Sequence, residues 1–286
     1  MSEFPEEGET SVSWEEFALK IQELRELHSS RKVASPLLFR GHADAEWKLQ
    51  TTLERRNKSN MLFRDYYLAI SRIKPQIEAF TKQLWGTPDI MSVMRLLEDY
   101  DAFSLELDNG NFPASEYMVY LRHHGFPSPL LDWTRSPYLA AYFAFSSHQN
   151  PKKGQVSIYC FLDAPENMKT TSNREPVIRR LGVPLQGEQR HFLHPRHFLQ
   201  QADYTVCLFD ALTRFGDHEE VVYKSDPNLY GGRKMLRQYR LWKFLLPWAE
   251  RARALKTCAD FNLNAFSLFQ SEEALMESMA VAELDR

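Results

Sequence analysis

Leu130-Leu131-Asp132-Trp133-Thr134-Arg135-Ser136-Pro137 is the stretch on which the fold of this chain turns. The paired leucines read as a buried strand, and Asp132 stands where that strand ends and the chain must turn. Ser136 followed by Pro137 is a helix start, with the serine as N-cap and the proline at the first helical position. The helix that follows is apolar and small along Ala140, Ala141, Phe143 and Ala144. A strand feeding a helix in this way gathers Asp132, the hydroxyls of Thr134 and Ser136, and the free N–H groups of the first helical turn at one sheet end, an arrangement suited to an anion. Capping and turn formation use Asp132 and Ser136 as well, so both roles stay open.

Working upstream, Gly125-Phe126-Pro127-Ser128-Pro129 forms a rigid connector, preceded by a helix over about 114–124. His123 lies just before that connector, within reach of a cleft mouth as a base, or as an ordinary hydrogen-bonded histidine. Leu37-Leu38-Phe39-Arg40 reads as a short buried strand stopped by Gly41, with the Arg40 guanidinium leaving the sheet's end. Such a guanidinium forms paired bonds to a phosphate or carboxylate, the alternative being a structural ion pair. Residues 60–107 have a mostly helical pattern, interrupted by Pro75 and by Gly86-Thr87-Pro88. Ser13 with Glu16 is a capping box that opens an amphipathic helix over 14–29, and an acidic, flexible tail precedes it.

Downstream, Gln155–Asp163, Asp203–Phe209 and Trp242–Leu246 read as strands, 248–258 and 271–281 as helices, and 164–193 as irregular. The expected fold class is α+β: a tail over 1–12, then one domain over 13–286 with a helical insertion at about 60–124 and a basic excursion at about 164–197.

The composition is that of a globular protein, 43% apolar with 19 Phe, 12 Tyr and 6 Trp, which argues against extended disorder. A net charge of −3 carries no global signature for nucleic acid or membrane, so any polyanion site must be local. Cys160, Cys207 and Cys258 are far apart, which suits a reducing compartment rather than a disulfide framework or zinc site. The acidic N-terminus lacks an apolar core for a signal peptide, and no run approaches the ~20 apolar residues of a membrane helix. A cytoplasmic location without a membrane partner is expected.

His191, His194 and His197 recur every three residues, but Pro195 disturbs the helix that would align them, and no metal is expected. Between Arg174 and His197 lie five Arg and three His against two Glu, and Arg233–Lys243 interleaves cations with aromatics. That mixture suits phosphate neutralisation with base stacking, and so an RNA or DNA partner; a solvated basic face explains it too.

Together these motifs resemble the FRG domain over about residues 36–280. The resemblance rests on Phe39-Arg40-Gly41-His42, Trp47-Lys48-Leu49 and Arg55 or Arg56; on His123, Gly125, Pro127, Leu130–Thr134, Pro137, Ala140 and Phe143-Ala144; and on Pro195-Arg196 with Gln200-Gln201. Ser128-Pro129 stands where the family usually has Thr-Arg, Ala202 follows the glutamines in place of Gly, and His42 replaces a common Gln.

The order of elements is in turn similar to that of ADP-ribosyltransferases, which implies a split β-sheet core around a bound NAD⁺. On that likeness Arg40, with Gly41, holds the dinucleotide, and Asp132, Thr134 and Ser136 line it. Tyr138 or Tyr142 stacks on nicotinamide, Gln201 or Asp203 meets the ribose, and His123 acts as base on the acceptor. The glutamate usual in such enzymes is missing, with Glu219 and Glu220 as substitutes from a neighbouring segment. The implied activity is ADP-ribose transfer by a toxin or phage-defence effector kept in check by an inhibitor (antitoxin) protein. The alternatives are a metal-independent nuclease or nucleotide hydrolase, and a non-catalytic nucleotide-sensing module.

Overall fold

The computed structural model describes residues 4–58, 60–165, 177–181, 195–209, 213–224 and 239–284. The chain begins with β1 (Gly8–Ser11), α1 (Trp14–Arg31) and β2 (Leu37–His42), then runs through the helices α2 (Phe63–Thr81), α3 (Ile90–Glu98), α4 (Tyr100–Asp108) and α5 (Ser115–His123). Next come β3 (Leu130–Thr134), α6 (Pro137–Phe145), β4 (Gln155–Asp163), β5 (Val177–Leu181), α7 (Pro195–Leu199) and β6 (Ala202–Phe209). The chain continues as β7 (Arg214–Phe215), α8 (His218–Lys224), β8 (Tyr239–Pro247), α9 (Arg251–Asp260), α10 (Ala265–Phe269) and α11 (Glu272–Leu284). The fold is α+β, with an eight-stranded sheet in the order β1-β8-β4-β2-β3-β6-β5 and β7 paired to β6.

The local signals act as their chemistry requires. Ser13 and Glu16 form the capping box of α1, and Ser136 caps α6 by accepting from the Leu139 N–H, with Pro137 in the first turn. Gly86-Thr87-Pro88 separates α2 from α3. Pro75, expected to interrupt the helical run, lies inside α2 instead. The lost backbone bond is outweighed by the buried face of Phe63, Tyr66, Tyr67 and Ile70, each side chain worth roughly 1.5–3 kcal/mol when removed from water.

Three departures from expectation come from pairing across distance. Residues 4–11, expected as part of a flexible tail, are docked: β1 pairs in parallel with β8, and Phe4 is buried beside Trp242. Glu7 and Glu9 reach Arg240 at 3.1 Å and Lys243 at 2.6 Å, so the acidic stretch neutralises cations of the neighbouring strand. The excursion at 164–193, expected as irregular, contains β5, antiparallel to β6. Gly41 does not stop its strand, because β2 stays paired with β4 through His42.

Each half of the sheet has its own helical cover. On the β2–β4–β8 half, α1 and α6 bury Phe17, Leu24, Ala140, Ala141 and Ala144 against Phe39, Ile158 and Phe244. On the β3–β6 half, the α2–α5 insertion buries Phe63, Tyr66, Phe103, Tyr117 and Met118 against Leu130, Tyr204, Val206 and Leu208. The opposite face closes on Leu38, Leu131, Trp133, Phe161 and Leu241. Among the described residues no helix is long and apolar enough to cross a membrane.

Gly41 exists for space. A methyl there would lie 1.9 Å from the Ala140 carbonyl oxygen and 2.8 Å from the Ala144 nitrogen, both backbone atoms of α6. Gly125 exists for conformation, at φ +83 with nothing near its missing side chain. Gly41→Ala is therefore expected to lower unfolding free energy by about 3 kcal/mol or more, and Gly125→Ala by about 1 kcal/mol. Denaturant midpoints at unchanged m-value check both.

Candidate functional site

The site arises where the two half-sheets meet. β2 pairs with β4 from Leu37 to His42, and β3 pairs with β6 from Leu130 to Thr134, but β2 and β3 pair only at Phe39 with Thr134. Past that point the strands part, and the Arg40 side chain fills the wedge between them. Its Nη1 donates to the Asp132 carbonyl at 2.7 Å and to Asp132 Oδ1 at 2.6 Å. Its Nε donates to His42 Nε2 at 3.0 Å, which leaves the His42 hydrogen on Nδ1, facing the Trp47 carbonyl at 3.3 Å. Arg122, on the last turn of α5, donates to the same Asp132 Oδ1 at 2.6 Å.

The charges in this cluster decide its protonation. Enclosure alone would raise the Asp132 pKa, but the Arg122 and Arg40 charges and their hydrogen bonds override it and hold the carboxyl well below the usual carboxylate range. Its side chain is nevertheless 40% accessible, because it lies at the foot of a cleft surrounded by protein on its other sides. His42 is buried, and desolvation followed by the neighbouring Arg40 charge brings its pKa down to about 3. Arg55 is exposed nearby, its pKa lowered by desolvation and then by the charges of Arg122 and Arg40. Three guanidinium groups thus share one field around one carboxylate.

The cleft has a volume of about 320 Å³ and is walled by Phe143 of α6, Phe269 of α10, and Arg196 and Gln200 from the α7 segment. The Phe143 and Phe269 rings stand edge to face at 6.3 Å, and the Arg196 guanidinium lies 5.1 Å over Phe269. His123 also lines the cleft, its Nε2 2.8 Å from the Tyr204 hydroxyl. His197 Nδ1 lies 3.5 Å from the same hydroxyl, its ring stacked on that of Tyr204. Burial pushes the Tyr204 pKa up, so the phenol keeps its proton and stands as a neutral hydroxyl within reach of both imidazoles.

Of the residues singled out in the sequence, Arg40, Gly41, His123, Asp132 and Thr134 line one cleft. Ser136 is spent on the cap, and its N–H donates to Thr134 Oγ1 at 3.1 Å. Tyr138 and Tyr142, one helical turn apart, turn away: Tyr138 packs between Trp14 and Phe261, and Tyr142 is buried with Leu139, Cys258 and Leu268. The aromatic presented to the cleft is their neighbour Phe143. Gln201 is exposed in a left-handed turn at φ 46 and does not line the cleft, whereas Gln200 does.

Asp203 fails for reasons of parity. In the β3–β6 register, Asp132 pairs with Tyr204 and Trp133 with Asp203, and strand alternation sends Asp203 to the face opposite Asp132. There its carboxylate is held by Arg135 at 3.1 Å and Arg180 at 2.8 Å. Glu219 accepts from the Leu49 N–H, and neither it nor Glu220 lines the cleft.

Arg122, Arg196, Phe143, Phe269 and Tyr204 were given no role in the site from the sequence, although Phe143 and Arg196 belong to the motifs that carry the family resemblance. For Arg122 the available signal was a cation in the last helical turn, directly before His123. Of the basic stretches, Arg174, Arg190, His191, His194, Arg233, Lys234 and Arg237 lie outside the described residues. Arg240 and Lys243 are engaged with Glu7 and Glu9 and lie over the Phe4 and Tyr159 rings.

Because the folded protein resists protonating His42 down to about pH 3 while the unfolded chain takes up that proton near its ordinary value of 6.5, stability falls as pH falls through this window. The His42 share of the slope is at most about 1.4 kcal/mol per pH unit. His42→Gln, which keeps an acceptor for Arg40 Nε, is expected to remove it. The Asp132 contribution has the other range, present above about pH 4 and lost below it. Denaturant unfolding of both proteins between pH 4 and pH 7 checks this.

Comparison with curated proteins finds no match, and comparison with solved structures finds none either. A family match was expected over about residues 36–280; the one found spans 35–153, from just before β2 to just past α6. It takes in Phe39-Arg40-Gly41, His123 and Leu130–Thr134, and stops short of Pro195-Arg196 and Gln200-Gln201. Residues 35–153, whose motifs gather around one seam of the sheet, match the FRG domain.

Proposed function

We propose that this protein is an NAD⁺-dependent ADP-ribosyltransferase that modifies a macromolecule, RNA or DNA, as a cytoplasmic toxin or phage-defence effector restrained by an inhibitor protein. The observation that carries the reading is the Arg40 guanidinium standing in an opened sheet seam with Arg122 and Arg55 beside it and one carboxylate among them. Guanidinium pairs of this kind fit a pyrophosphate, which they fix without reacting. The Phe143–Phe269 corner offers a planar surface of the type a nicotinamide ring stacks on. A cleft of about 320 Å³ is at the small end of ligand sites, enough for the reactive half of a dinucleotide.

In the reaction the bond between ribose C1′ and the nicotinamide nitrogen breaks, and its electron pair leaves with neutral nicotinamide. An acceptor hydroxyl then forms the new bond to C1′, and its proton passes to His123 or to water. His123 is placed for that task by its bond to Tyr204.

A second reading, a nucleotide-sensing module without turnover, is favoured by one specific feature. Asp132 is the one carboxylate among the described residues that line the cleft, and both arginines already engage it.

NAD⁺ labelled in its adenylate half, incubated with total RNA, DNA and protein, separates the readings. Label in the nucleic-acid fraction is the expected result; nucleic-acid breakdown without NAD⁺ points to a hydrolase, and binding without transfer to the sensor. Arg40→Lys keeps the charge but loses the fork, and is expected to weaken NAD⁺ binding at least ~10-fold. Asp203→Asn is expected to leave NAD⁺ binding in place and to cost roughly 2–3 kcal/mol of stability, less than a fully buried pair because Arg135 is half exposed. Calorimetric titration and thermal unfolding of the two variants check these outcomes.

A further inference from the structure

We infer that Asp132 reads a sugar hydroxyl: its Oδ2 accepts from a ribose of the bound nucleotide, while the arginines on Oδ1 take the adjoining phosphate. The inference rests on the dinucleotide reading above and adds the residue that sets its sugar specificity.

The two oxygens of Asp132 are used unequally. Arg40 Nη1 and Arg122 Nη2 both donate to Oδ1, each at 2.6 Å. Among the described residues no donor reaches Oδ2, although two guanidinium groups lie within bonding distance of its twin. The side chain is 40% accessible, so this oxygen is presented at the foot of the cleft. With both guanidinium groups engaged on Oδ1 and Oδ2 open to the cleft, Oδ2 is an acceptor with lone pairs available to a hydroxyl or N–H.

The neighbouring atoms narrow the class. Arg40 spends Nε on His42 and Nη1 on Asp132, and its Nη2 has no partner among the described residues. An anionic acceptor and a cationic donor therefore sit side by side. A phosphorylated sugar carries the complementary pair, a hydroxyl next to a phosphate; an aliphatic or a purely anionic ligand does not. Asp203, the carboxylate first expected in this role, has no such freedom. Its Oδ1 accepts from Arg180 Nε and the Tyr204 N–H, and its Oδ2 from Arg135 and Arg180, on the opposite face of the sheet.

The test titrates the intact protein with ADP, NAD⁺, and NAD⁺ analogues lacking the 2′- or the 3′-hydroxyl of the nicotinamide ribose. The wild-type protein is expected to bind at least one analogue ~10-fold or more weaker than NAD⁺, as befits a hydrogen bond to a charged group. In Asp132→Asn the preference is expected to shrink to within about 3-fold, while ADP binding is kept or tightened because the arginines lose their internal anion. Thermal unfolding checks that the variant is folded, and the wild-type preference stands as evidence by itself. Equal wild-type binding of NAD⁺ and both analogues overturns the inference and leaves the dinucleotide reading intact, as does a folded Asp132→Asn that discriminates like the wild type. Failure of the wild type to bind NAD⁺ or ADP overturns the dinucleotide reading, and this assignment with it.

Discussion

A sheet whose two halves share one backbone residue pair at their junction is the constraint from which the site follows. Phe39 and Thr134 join two half-sheets, each with its own core, and beyond them no backbone pairing links β2 to β3. Strand edges that part leave polar groups needing partners. The Arg40 side chain supplies one by donating to the Asp132 carbonyl, in place of the ladder bond that the divergence removed. The guanidinium that closes the seam is therefore part of the wall of the cleft that the seam opens. Close approach of α6 to β2, possible because position 41 is glycine and the facing helix residues are alanines, brings Phe143 over the same opening.

The electrostatics of the cleft are local and one-sided. The chain as a whole is slightly acidic, at net −3, yet Arg40, Arg55 and Arg122 crowd around Asp132, with Arg196 across the cleft. A carboxylate shared by two guanidinium groups is held ionised and keeps both cations in fixed directions. His42 completes the support from behind: because its proton resides on Nδ1, its Nε2 accepts from Arg40 and adds no charge to an already cationic cluster.

The reverse face of the same strand is braced by a buried polar chain. Trp133 Nε1 donates to Thr205 Oγ1 at 2.9 Å, and that hydroxyl meets His218 Nε2 at 3.3 Å. His218 Nδ1 in turn lies 2.7 Å from Glu54 Oε1, while Glu54 Oε2 accepts from the Thr51 N–H at 2.8 Å. Each group in this chain is satisfied, which makes it a specifying element rather than a liability. It anchors the indole between Asp132 and Thr134, and a one-residue slip of β3 would break it at the same time as it turned Asp132 out of the cleft.

Features that depend on a few neighbouring residues were legible in the sequence. The Ser13–Glu16 box, the Ser136-Pro137 start, the strand at Gln155–Asp163 and the exit of Arg40 from a buried strand follow from capping, proline geometry and strand propensity, which act within one turn or one pleat. Their gathering into one site could be expected only through the family resemblance. What tertiary structure alone decided was pairing and phase. Strand β5 was hidden because its arginines find their carboxylate on another strand, and β1 because its partner lies more than two hundred residues away. The sequence marks Asp203 as a carboxylate at a strand start but not which face it takes, since that depends on its register against β3. Tyr142 and Phe143 are equally aromatic and adjacent, and only the packing of α6 against the sheet and α10 determines which of them meets the cleft. Residue type sets what a side chain is able to do, and long-range register sets what it is allowed to touch.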